Sequence, residues 1–309
     1  MSTPTTNYNL TKDGPNDYYD IATVNANLDK VDDTLKGNDT SINTLNGSVG
    51  QLSSLTTAEK ASLVGAVNEV NGNKLPIQSN AGFHNSIFRG KYLGSSVTAA
   101  QYNAISAGTF EDLYIGDYWT IGGINYEIAA FNYYRNTGDT LVPGNHAVIV
   151  PRTQLYTHVM NDTNITTGAY VGSKMYISGL DAAKTTINAA FPGHVLTHRN
   201  YLHNATTNGY TSGGSYYDST VELMTELNVY GAKIYSNFIQ GTNLANNVFI
   251  DKSQYPLFAL NPESINTRQT YWLRDVASST NFAFVSGNGY ANANGASGAF
   301  GVRPAFLIS

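Results

Sequence analysis

Apolar residues recur every seventh residue between Ile21 and Leu52, and this repeat constrains the fold more than any other feature of the chain. One position of the repeat is held by Ile21, Leu28, Leu35, Ile42 and Val49. The position three residues later is held by Val24, Val31, Leu45 and Leu52, with Asn38 as the interruption. Paired positions of this kind form the a/d seam of a coiled coil, so the repeat predicts a helix over 21–52.

The composition of the seam predicts a homotrimer, because Leu at a with Val at d favours more than two strands. Three glycines inside the repeat weaken an isolated helix, so partner helices are expected to hold it. The predicted trimerisation residues are Ile21, Val24, Leu28, Val31, Leu35, Ile42, Leu45, Val49 and Leu52. The alternative is an amphipathic helix packed on its own domain, and the narrow stripe argues against it.

Changes in composition predict three regions. Residues 1–20, with a turn around Gly14 and Pro15, are too short to fold alone and are interpreted as an attachment peptide that orders on a larger assembly. Residues 21–75 form the predicted stalk, in which Thr56 and Glu59 fit a capping box for a second helix. Residues 76–309 contain both strand-like and helix-like segments, as is typical of an α+β domain.

Local patterns predict several elements of this α+β domain. Gly122 and Gly123 separate two strand-like runs within 117–134, which is typical of a hairpin. Residues 146–151 form a short apolar run and predict a buried strand. Residues 218–234 predict a helix with Asp218 as its cap.

The closing stretch contains the pair Asn288-Gly289, which predicts a two-residue type I′ turn. A hairpin folded there places Phe282, Phe284 and Ser286 on one face with two alanines, Ala291 and Ala293. The other face then carries Asn281, Ala283, Val285, Tyr290, Asn292 and Asn294. The expectation is one face locked in the core and one face free to contact a partner, and an ordinary solvated hairpin is the alternative.

Charge and composition exclude several functions. The formal net charge is -5 and no basic stretch is interleaved with aromatic residues, so nucleic-acid binding is not expected. The chain has no cysteine, and hence no disulfide, thiolate metal site or cysteine nucleophile. Its first residues lack the pattern of a signal peptide and no apolar run is long enough for a membrane span, so assembly in the cytoplasm without membrane insertion is predicted.

Motifs for catalysis or metal binding are weak. His194 and His198 have the spacing of a zinc pair on a helix, but Val195 stands where an H-E-x-x-H motif has Glu, so structural histidines are predicted. The cluster of Glu111, Asp112 and Asp117 could suggest a glycosidase, yet these carboxylates flank a turn and are predicted to be solvated. The sequence therefore predicts a protein that is not an enzyme and needs neither a cofactor nor a metal.

The final motif, "YWLRD…STNFAFVSGNGYANANGAS…FGVRPAF", resembles the C-terminal module of C-type-lectin-fold proteins of phages and prophages, several of which are diversified by retroelements. The region "LTTAEKASLVGAVNEVN" is similar to the stalks of tail fibres. The resemblance implies that scaffold roles belong to Trp272, Leu273, Arg274, Gly301, Val302, Arg303, Pro304 and Phe306. It implies receptor contacts by Ser278, Ser279, Asn281, Ala283, Ser286, Asn288, Tyr290, Asn292, Asn294, Ser297 and Phe300.

Taken together, the expected fold class is α+β, with an N-terminal trimeric coiled-coil stalk followed by a C-type-lectin-like receptor-binding domain. The resemblance implies a phage tail protein that is attached to the baseplate through its N-terminus and binds a glycan or protein receptor on a bacterial surface. Its expected place is the tail tip or baseplate of the virion. The alternatives are a tail-associated polysaccharide depolymerase and a cellular lectin-like adhesin. Arg274, Asp275 and Arg303 are interpreted as members of structural ion pairs.

Overall fold

The computed structural model describes residues 3–12, 14–15, 18, 20–72, 79–140, 144–236 and 253–309 of the 309-residue chain. The chain divides into two compact units, Met1–Pro76 and Ile77–Ser309. This division lies one residue from the predicted boundary between 75 and 76. Within the part of the chain that the structure describes, no helix is both long enough and apolar enough to cross a membrane.

The first unit is built around one long helix. Its elements are the paired strands β1 (Thr3–Pro4) and β2 (Thr11–Lys12), helix α1 (Ile21–Val49), a 3₁₀ turn (Leu52–Ser54) and helix α2 (Leu63–Gly72). Asp20 caps α1 by accepting the N–H of Ala22. The strand pair is tied to this helix because Asn27 accepts the N–H of Thr11 at 2.8 Å and donates to its carbonyl at 2.7 Å.

The predicted trimeric coiled-coil stalk is wrong, because α1 is a single helix. None of its residues is buried, and Ile21, Leu28, Val31, Leu35, Ile42, Leu45 and Val49 are exposed, while Val24 and Leu52 are half-buried. Gly50, at a φ of 74°, ends the helix and donates its N–H to Asn46, so Leu52 lies outside it. The repeat places apolar side chains in a stripe along one helix. It does not show which partner surface, if any, covers that stripe. The homotrimer and the attachment to baseplate proteins stay predictions.

The predicted capping box at Thr56 and Glu59 is also absent. The carboxylate of Glu69, on α2, accepts the N–H groups of Ala58 and Glu59 at 3.0 and 2.6 Å. These two backbone donors are therefore satisfied outside a helix, and α2 begins later, at Leu63. Because the two backbone bonds stabilise its charged form, they lower the pKa of Glu69.

The second unit contains most of the strands and short helices. Its helices are α3 (Ala81–Asn85), α4 (Ala99–Ala107), α5 (Asp181–Ala190), α6 (Glu226–Tyr230) and α7 (Pro256–Leu260), with a π-helical turn at Met175–Gly179 and a 3₁₀ turn at Pro262–Ile265. Its first strands are β3 (Tyr92–Gly94), β4 (Tyr118–Ile121), β5 (Ile124–Phe131), β6 (Ala147–Pro151), β7 (Tyr156–Val159), β8 (His198–Thr207), β9 (Tyr210–Ser219) and β10 (Val221–Leu223). The closing stretch supplies β11 (Tyr271–Val276), β12 (Asn281–Val285), β13 (Ala291–Gly295), β14 (Ala299–Val302) and β15 (Pro304–Ile308).

The predicted fold class is wrong. Over the described residues the chain is a mixed α/β fold with several sheets, and four of its helices have seven or more residues. A six-stranded sheet has the order β10-β15-β6-β5-β4-β3, and a five-stranded sheet has the order β13-β12-β11-β14-β7. Strands β8 and β9 form a separate antiparallel pair. The chain thus differs from the expected stalk followed by a C-type-lectin-like domain.

Two strand predictions in the six-stranded sheet are confirmed. Strands β4 and β5 form the expected hairpin, and Gly122 and Gly123 both have positive φ angles, 59° and 81°. A type I′ turn requires this conformation at both central residues. Strand β6 occupies 147–151 and all five of its residues are buried, as its apolar composition predicts.

The predicted helix over 218–234 is wrong for most of its length. Asp218 lies in β9, and the next segment forms β10, whose Val221 pairs with Phe306 of β15. Only residues 226–230 are helical, with Thr225 as the cap and Gly231 as the left-handed end. Pairing with a strand about 80 residues away overrides the local helical pattern, because it buries Val221 and Leu223 in the sheet.

A buried ion pair joins the two large sheets. Arg274 of β11 pairs with Glu222 of β10, and the two side chains are 8% and 4% exposed. The backbone N–H of Arg274 also donates to the carbonyl of Met224 at 2.9 Å. The Nδ2 of Asn200 donates to the same Glu222 oxygen at 2.7 Å. The prediction that Arg274 forms a structural ion pair is confirmed.

Arg303 differs from the predicted ion pair, because no carboxylate pairs with it among the described residues. It is fully buried and donates to the carbonyls of Pro151 and Ser264 at 2.8 and 3.0 Å, and to the hydroxyl of Tyr271 at 3.1 Å. Its guanidinium also lies over the rings of Phe258 and Tyr271. Neutral acceptors and aromatic faces therefore hold this charge.

Asp275, next to Arg274, is buried and accepts the N–H of Glu226 at 2.6 Å. Burial raises the pKa of Asp275 to about 6, from an ordinary 3.8; Lys233 opposes this rise and Glu226 adds to it. The folded protein consequently holds a proton at this carboxyl more tightly than the unfolded chain does between pH 4 and 6.

Replacing Arg274 by Met should lower the free energy of unfolding by about 3 kcal/mol, because the charge of Glu222 then stays buried without its cation. Urea denaturation followed by circular dichroism measures this change. Adding Glu222→Gln to the same chain should recover most of the loss, since no buried charge remains. The matched control, Lys184→Met, breaks an exposed pair with Asp181 and should change stability by less than about 0.5 kcal/mol. Equal effects of Arg274→Met and Lys184→Met would contradict this account.

Asp275→Asn should change how stability depends on pH. A raised folded pKa means that the wild-type protein loses stability as pH rises from about 4 to 6, and the loss is complete above pH 7. Asn cannot titrate, but its oxygen can still accept from Glu226. The stability of the variant relative to wild type should therefore increase by about 2 kcal/mol between pH 4 and 7. Denaturation midpoints that differ by a constant amount across this range would show that Asp275 is not the titrating group.

Candidate functional site

The closing hairpin has a three-residue loop, not the predicted two-residue turn. The N–H of Ser286 donates to the carbonyl of Tyr290, and the N–H of Gly289 donates back to the carbonyl of Ser286, both at 2.9 Å. Gly289 has a φ of 87°. A left-handed glycine at the third loop position is the usual end of such a loop, and the sequence contains a glycine there.

The extra loop residue changes which side chains share a face. In the observed register Phe284 pairs with Asn292, Phe282 pairs with Asn294, and Ala283 pairs with Ala293. Directly opposed residues of an antiparallel pair point to the same side of a sheet. The predicted grouping of the phenylalanines with the alanines is therefore wrong, because a register shift of one residue exchanges the two faces.

The hairpin still contains both buried and accessible residues, but the two groups are not separated by face. Phe282 is fully buried and Phe284 is 8% exposed, whereas Asn292 is half-buried and Asn294 is exposed, although all four lie on one face. Strand β13 forms the edge of its sheet, so its side chains reach solvent beyond the aromatic residues of β12. Burial is thus decided by position across the sheet rather than by the face alone.

An aromatic cluster lies beside these asparagines. The ring centroids of Trp272 and Phe300 are 4.6 Å apart, and those of Phe284 and Phe300 are 4.8 Å apart. The indole N–H of Trp272 donates to the carbonyl of His158 at 3.0 Å, which ties the cluster to β7. These contacts fix the backbone of the closing strands, as the scaffold role of Trp272 predicts.

Two of the predicted receptor-contacting residues are inaccessible. Ala283 is fully buried and Ser286 is 6% exposed, with its hydroxyl accepting the N–H of Asn288. Both predictions are wrong, because each side chain points into the protein. The exposed members of the predicted set are Ser279, Asn288, Tyr290, Asn294 and Ser297, and the half-buried members are Ser278, Asn281, Asn292 and Phe300.

Two other segments lie against the closing stretch and extend its surface. Asn164 accepts from both the N–H and the hydroxyl of Ser297, at 2.9 and 2.8 Å, and the hydroxyl of Thr166 donates to the carbonyl of Ser278. At the tip of the β8–β9 hairpin, a Cβ added to Gly209 would lie 2.8 Å from the nitrogen of Ser279. No signal in the sequence connects these residues, since they are 70 to more than 130 positions apart.

We call the exposed side chains of 277–302, together with segments 161–167 and 207–210, the closing surface. No charged residue occurs in 277–302. Apolar and aromatic side chains are accessible among the Asn, Ser and Thr residues: Ile165 is 53% exposed, Tyr210 38% and Tyr290 55%. Near the hairpin loop the hydroxyl of Tyr230 donates to the carbonyl of Gly289, and burial raises the pKa of Tyr230, so it stays a donor. This surface can form hydrogen bonds and aromatic contacts and offers few ionic ones.

The histidines form no metal site within the described ranges, where no group of three His, Cys, Asp or Glu residues is placed to hold an ion. His194 stacks on Tyr102 and contacts the carbonyl of Ser309 at 2.6 Å. His198 and His203 lie on strand β8, so the helical spacing considered for a zinc pair does not occur.

The carboxylate cluster is only partly solvated. Glu111 and Asp112 are exposed, but Asp117 is fully buried, so the prediction for Asp117 is wrong. Asp117 accepts from Arg89 and from the N–H groups of Lys91 and Tyr114. It is held as a structural carboxylate, because these donors occupy both of its oxygens.

The comparison with known families yields one match, which covers part of the chain. A domain of unknown function, DUF6273, matches residues 199–309. The matched region runs from the β8–β9 hairpin to the end of the chain and includes the whole of 277–302. No curated protein and no solved structure matches the chain significantly.

Proposed function

We propose that this chain is a receptor-binding protein of a phage tail, and that its closing surface contacts a receptor on a bacterial cell. The observation that carries the proposal is the run 277–302, which has no charged residue and keeps polar and aromatic side chains accessible on a buried scaffold. Tyr, Ser and Asn recur on recognition surfaces because they combine amphipathic contact with adaptable hydrogen bonds. The resemblance of the closing motif to phage proteins supports the same function.

Accessible positions of the closing surface can change without loss of the fold. Asn294 and Tyr290 are exposed, while Trp272 and Phe282 in the neighbouring strands β11 and β12 are fully buried. Exposed side chains without structural contacts alter stability by about 0.5 kcal/mol or less when they are replaced. Such an arrangement suits a protein whose receptor differs among hosts. Diversification of this window by a retroelement stays a prediction.

The surface chemistry favours a receptor of low charge. A strongly anionic polymer would find no Lys or Arg in 277–302, and a cationic receptor would find no carboxylate there. The one carboxylate of segment 161–167, that of Asp162, is paired with Lys174. Neutral glycan or protein groups instead match the Asn, Ser and Tyr side chains. In this proposal the tail holds the N-terminal region, and the second unit meets the cell.

The combined variant Tyr290→Ser and Asn294→Lys should reduce binding of the fluorescently labelled full-length protein to host cells by tenfold or more. The expected cause is loss of an aromatic contact and introduction of a charge on a neutral surface. Flow cytometry across a panel of bacteria measures binding. Thermal unfolding should change by no more than about 0.5 kcal/mol in free energy.

The matched control places the same substitutions elsewhere, at Tyr92→Ser and Asn103→Lys. Tyr92 is 52% exposed and lies on β3, and Asn103 is exposed on α4. This control should bind cells like the wild type. Equal loss of binding in both double variants, or none in the first, would reject the closing surface as the receptor site. Release of reducing sugar ends from host cell-wall glycan would favour the depolymerase alternative instead.

A further inference from the structure

A second concave site lies in the same unit, away from the edge strand β13. It is a cleft of about 460 Å³ between the segment 88–90, the pair Glu127 and Arg152, and the segment 261–268. We call it the side cleft. Its volume is within the range of sites that hold small ligands. Neither the matched family nor the sequence motifs assign a role to it.

One wall of the side cleft is a carboxylate with an unused oxygen. Glu127 is 4% exposed, and its Oε1 accepts from the Nε and Nη2 of Arg152 at 2.7 Å. Its Oε2 has no hydrogen-bond partner among the described residues. A buried acceptor without a donor is costly, so a hydroxyl that reached it would be stabilised. Arg152 is 42% exposed and its guanidinium lies over the ring of Tyr118, so this side chain must shift before a ligand hydroxyl can reach the buried oxygen.

The lining of the side cleft also includes an unengaged cation. Arg268 is exposed, and within the described residues its guanidinium makes no hydrogen bond or ion pair. Its backbone has a φ of 61° and donates to the Oδ1 of Asn266 at 3.0 Å. Thr267, between them, directs its hydroxyl proton to the carbonyl of Gln269 and keeps its oxygen as an acceptor. This part of the lining therefore offers both donors and acceptors.

An aromatic ring forms a third side. Phe88 lines the side cleft and is 39% exposed. A Cβ at Gly116 would collide with this ring, so the glycine allows the ring to pack closely on the backbone. One part of Phe88 is thereby fixed, and the accessible part can contact the apolar C–H groups of a ligand.

The mixture of charges decides the class of ligand. Arg89, Arg152 and Arg268 line the side cleft together with Glu127 and Glu263. An anion would meet two carboxylates, a cation would meet three guanidinium groups, and an apolar ligand would leave the Oε2 of Glu127 and the guanidinium of Arg268 without partners. A neutral polyol fits, because each hydroxyl group can donate to a carboxylate and accept from a guanidinium.

We propose that the side cleft binds a neutral saccharide unit, with its hydroxyl groups between the Glu127–Arg152 pair and Arg268 and its ring C–H groups on Phe88. The site is independent of the closing surface, and neither proposal rests on the other. The two are neighbours, since a Cβ at Gly287 would lie 3.3 Å from the carbonyl oxygen of Arg268. The side cleft therefore lies next to the hairpin loop of the closing surface.

Titration of the full-length protein with methyl glucoside, methyl galactoside, methyl mannoside and N-acetylglucosamine tests the proposal. Isothermal calorimetry and ligand-observed NMR should detect at least one of them binding below about 50 mM. Phe88→Leu keeps an apolar side chain but removes the ring, and Arg268→Asn keeps a residue that tolerates positive φ. Each variant should weaken binding by tenfold or more while its circular dichroism spectrum and melting temperature stay close to those of the wild type.

Controls separate this site from others. Lys184→Gln alters a different cleft, which that residue lines, and should leave saccharide binding unchanged. The Tyr290 and Asn294 double variant should also bind the same saccharide normally, so failure of the side cleft and failure of the closing surface are distinguishable. The absence of binding by all four sugars would overturn the proposal. Unchanged affinity in both cleft variants, or tighter binding of acetate or methylammonium than of any sugar, would overturn it as well.

Discussion

The buried guanidinium of Arg303 stands where the chain passes from one large sheet to the other. Strand β14 ends one residue before it in the five-stranded sheet, and β15 begins one residue after it in the six-stranded sheet. A buried charge needs hydrogen-bond partners, and here Nε donates to the carbonyl of Pro151 while Nη1 donates to the carbonyl of Ser264 and the hydroxyl of Tyr271. The buried Nη2 has no partner among the described residues. These acceptors belong to different segments. One side chain therefore fixes the relative places of the strands on which the closing stretch is built.

Both proposed recognition sites depend on this arrangement. Ser264 lines the side cleft and Tyr271 begins the strand that supports the aromatic cluster, so Arg303 contacts a wall of one site and the base of the other. The segment between these two residues packs against the closing hairpin loop at Gly287 and Gly289. A change in the core at Arg303 would move both sites together, whereas exchange of exposed side chains leaves the core in place. Stability and the proposed recognition therefore depend on different residues of the same strands.

Sequence was sufficient where local chemistry decides the structure. The turn at Gly122-Gly123 needs two left-handed residues and has two glycines, and Trp272 is buried as its place in the closing motif predicts. The sequence was insufficient where contacts between distant parts of the chain determine the structure. Strand β10 forms because Phe306 pairs with Val221, and the tie between Asn164 and Ser297 spans 133 residues. The two faces of the closing hairpin were assigned incorrectly because its loop has three residues and not two. One extra loop residue shifts the strand register by one and exchanges the faces.

The composition indicates that the chain has few charged residues, but it does not show where they lie. Charged residues make up 13% of the chain, about half the usual share. Several of them, including Glu222, Glu226, Arg274 and Arg303, are buried and join strands or cap segments inside the second unit. The stretch 277–302 is left with none. A stretch of this kind interacts at short range, through shape, hydrogen bonds and aromatic contact, because it carries no charge of its own. In the proposed function, the specificity of the closing surface would then depend on short-range contacts, and hence on which side chains occupy its few exposed positions.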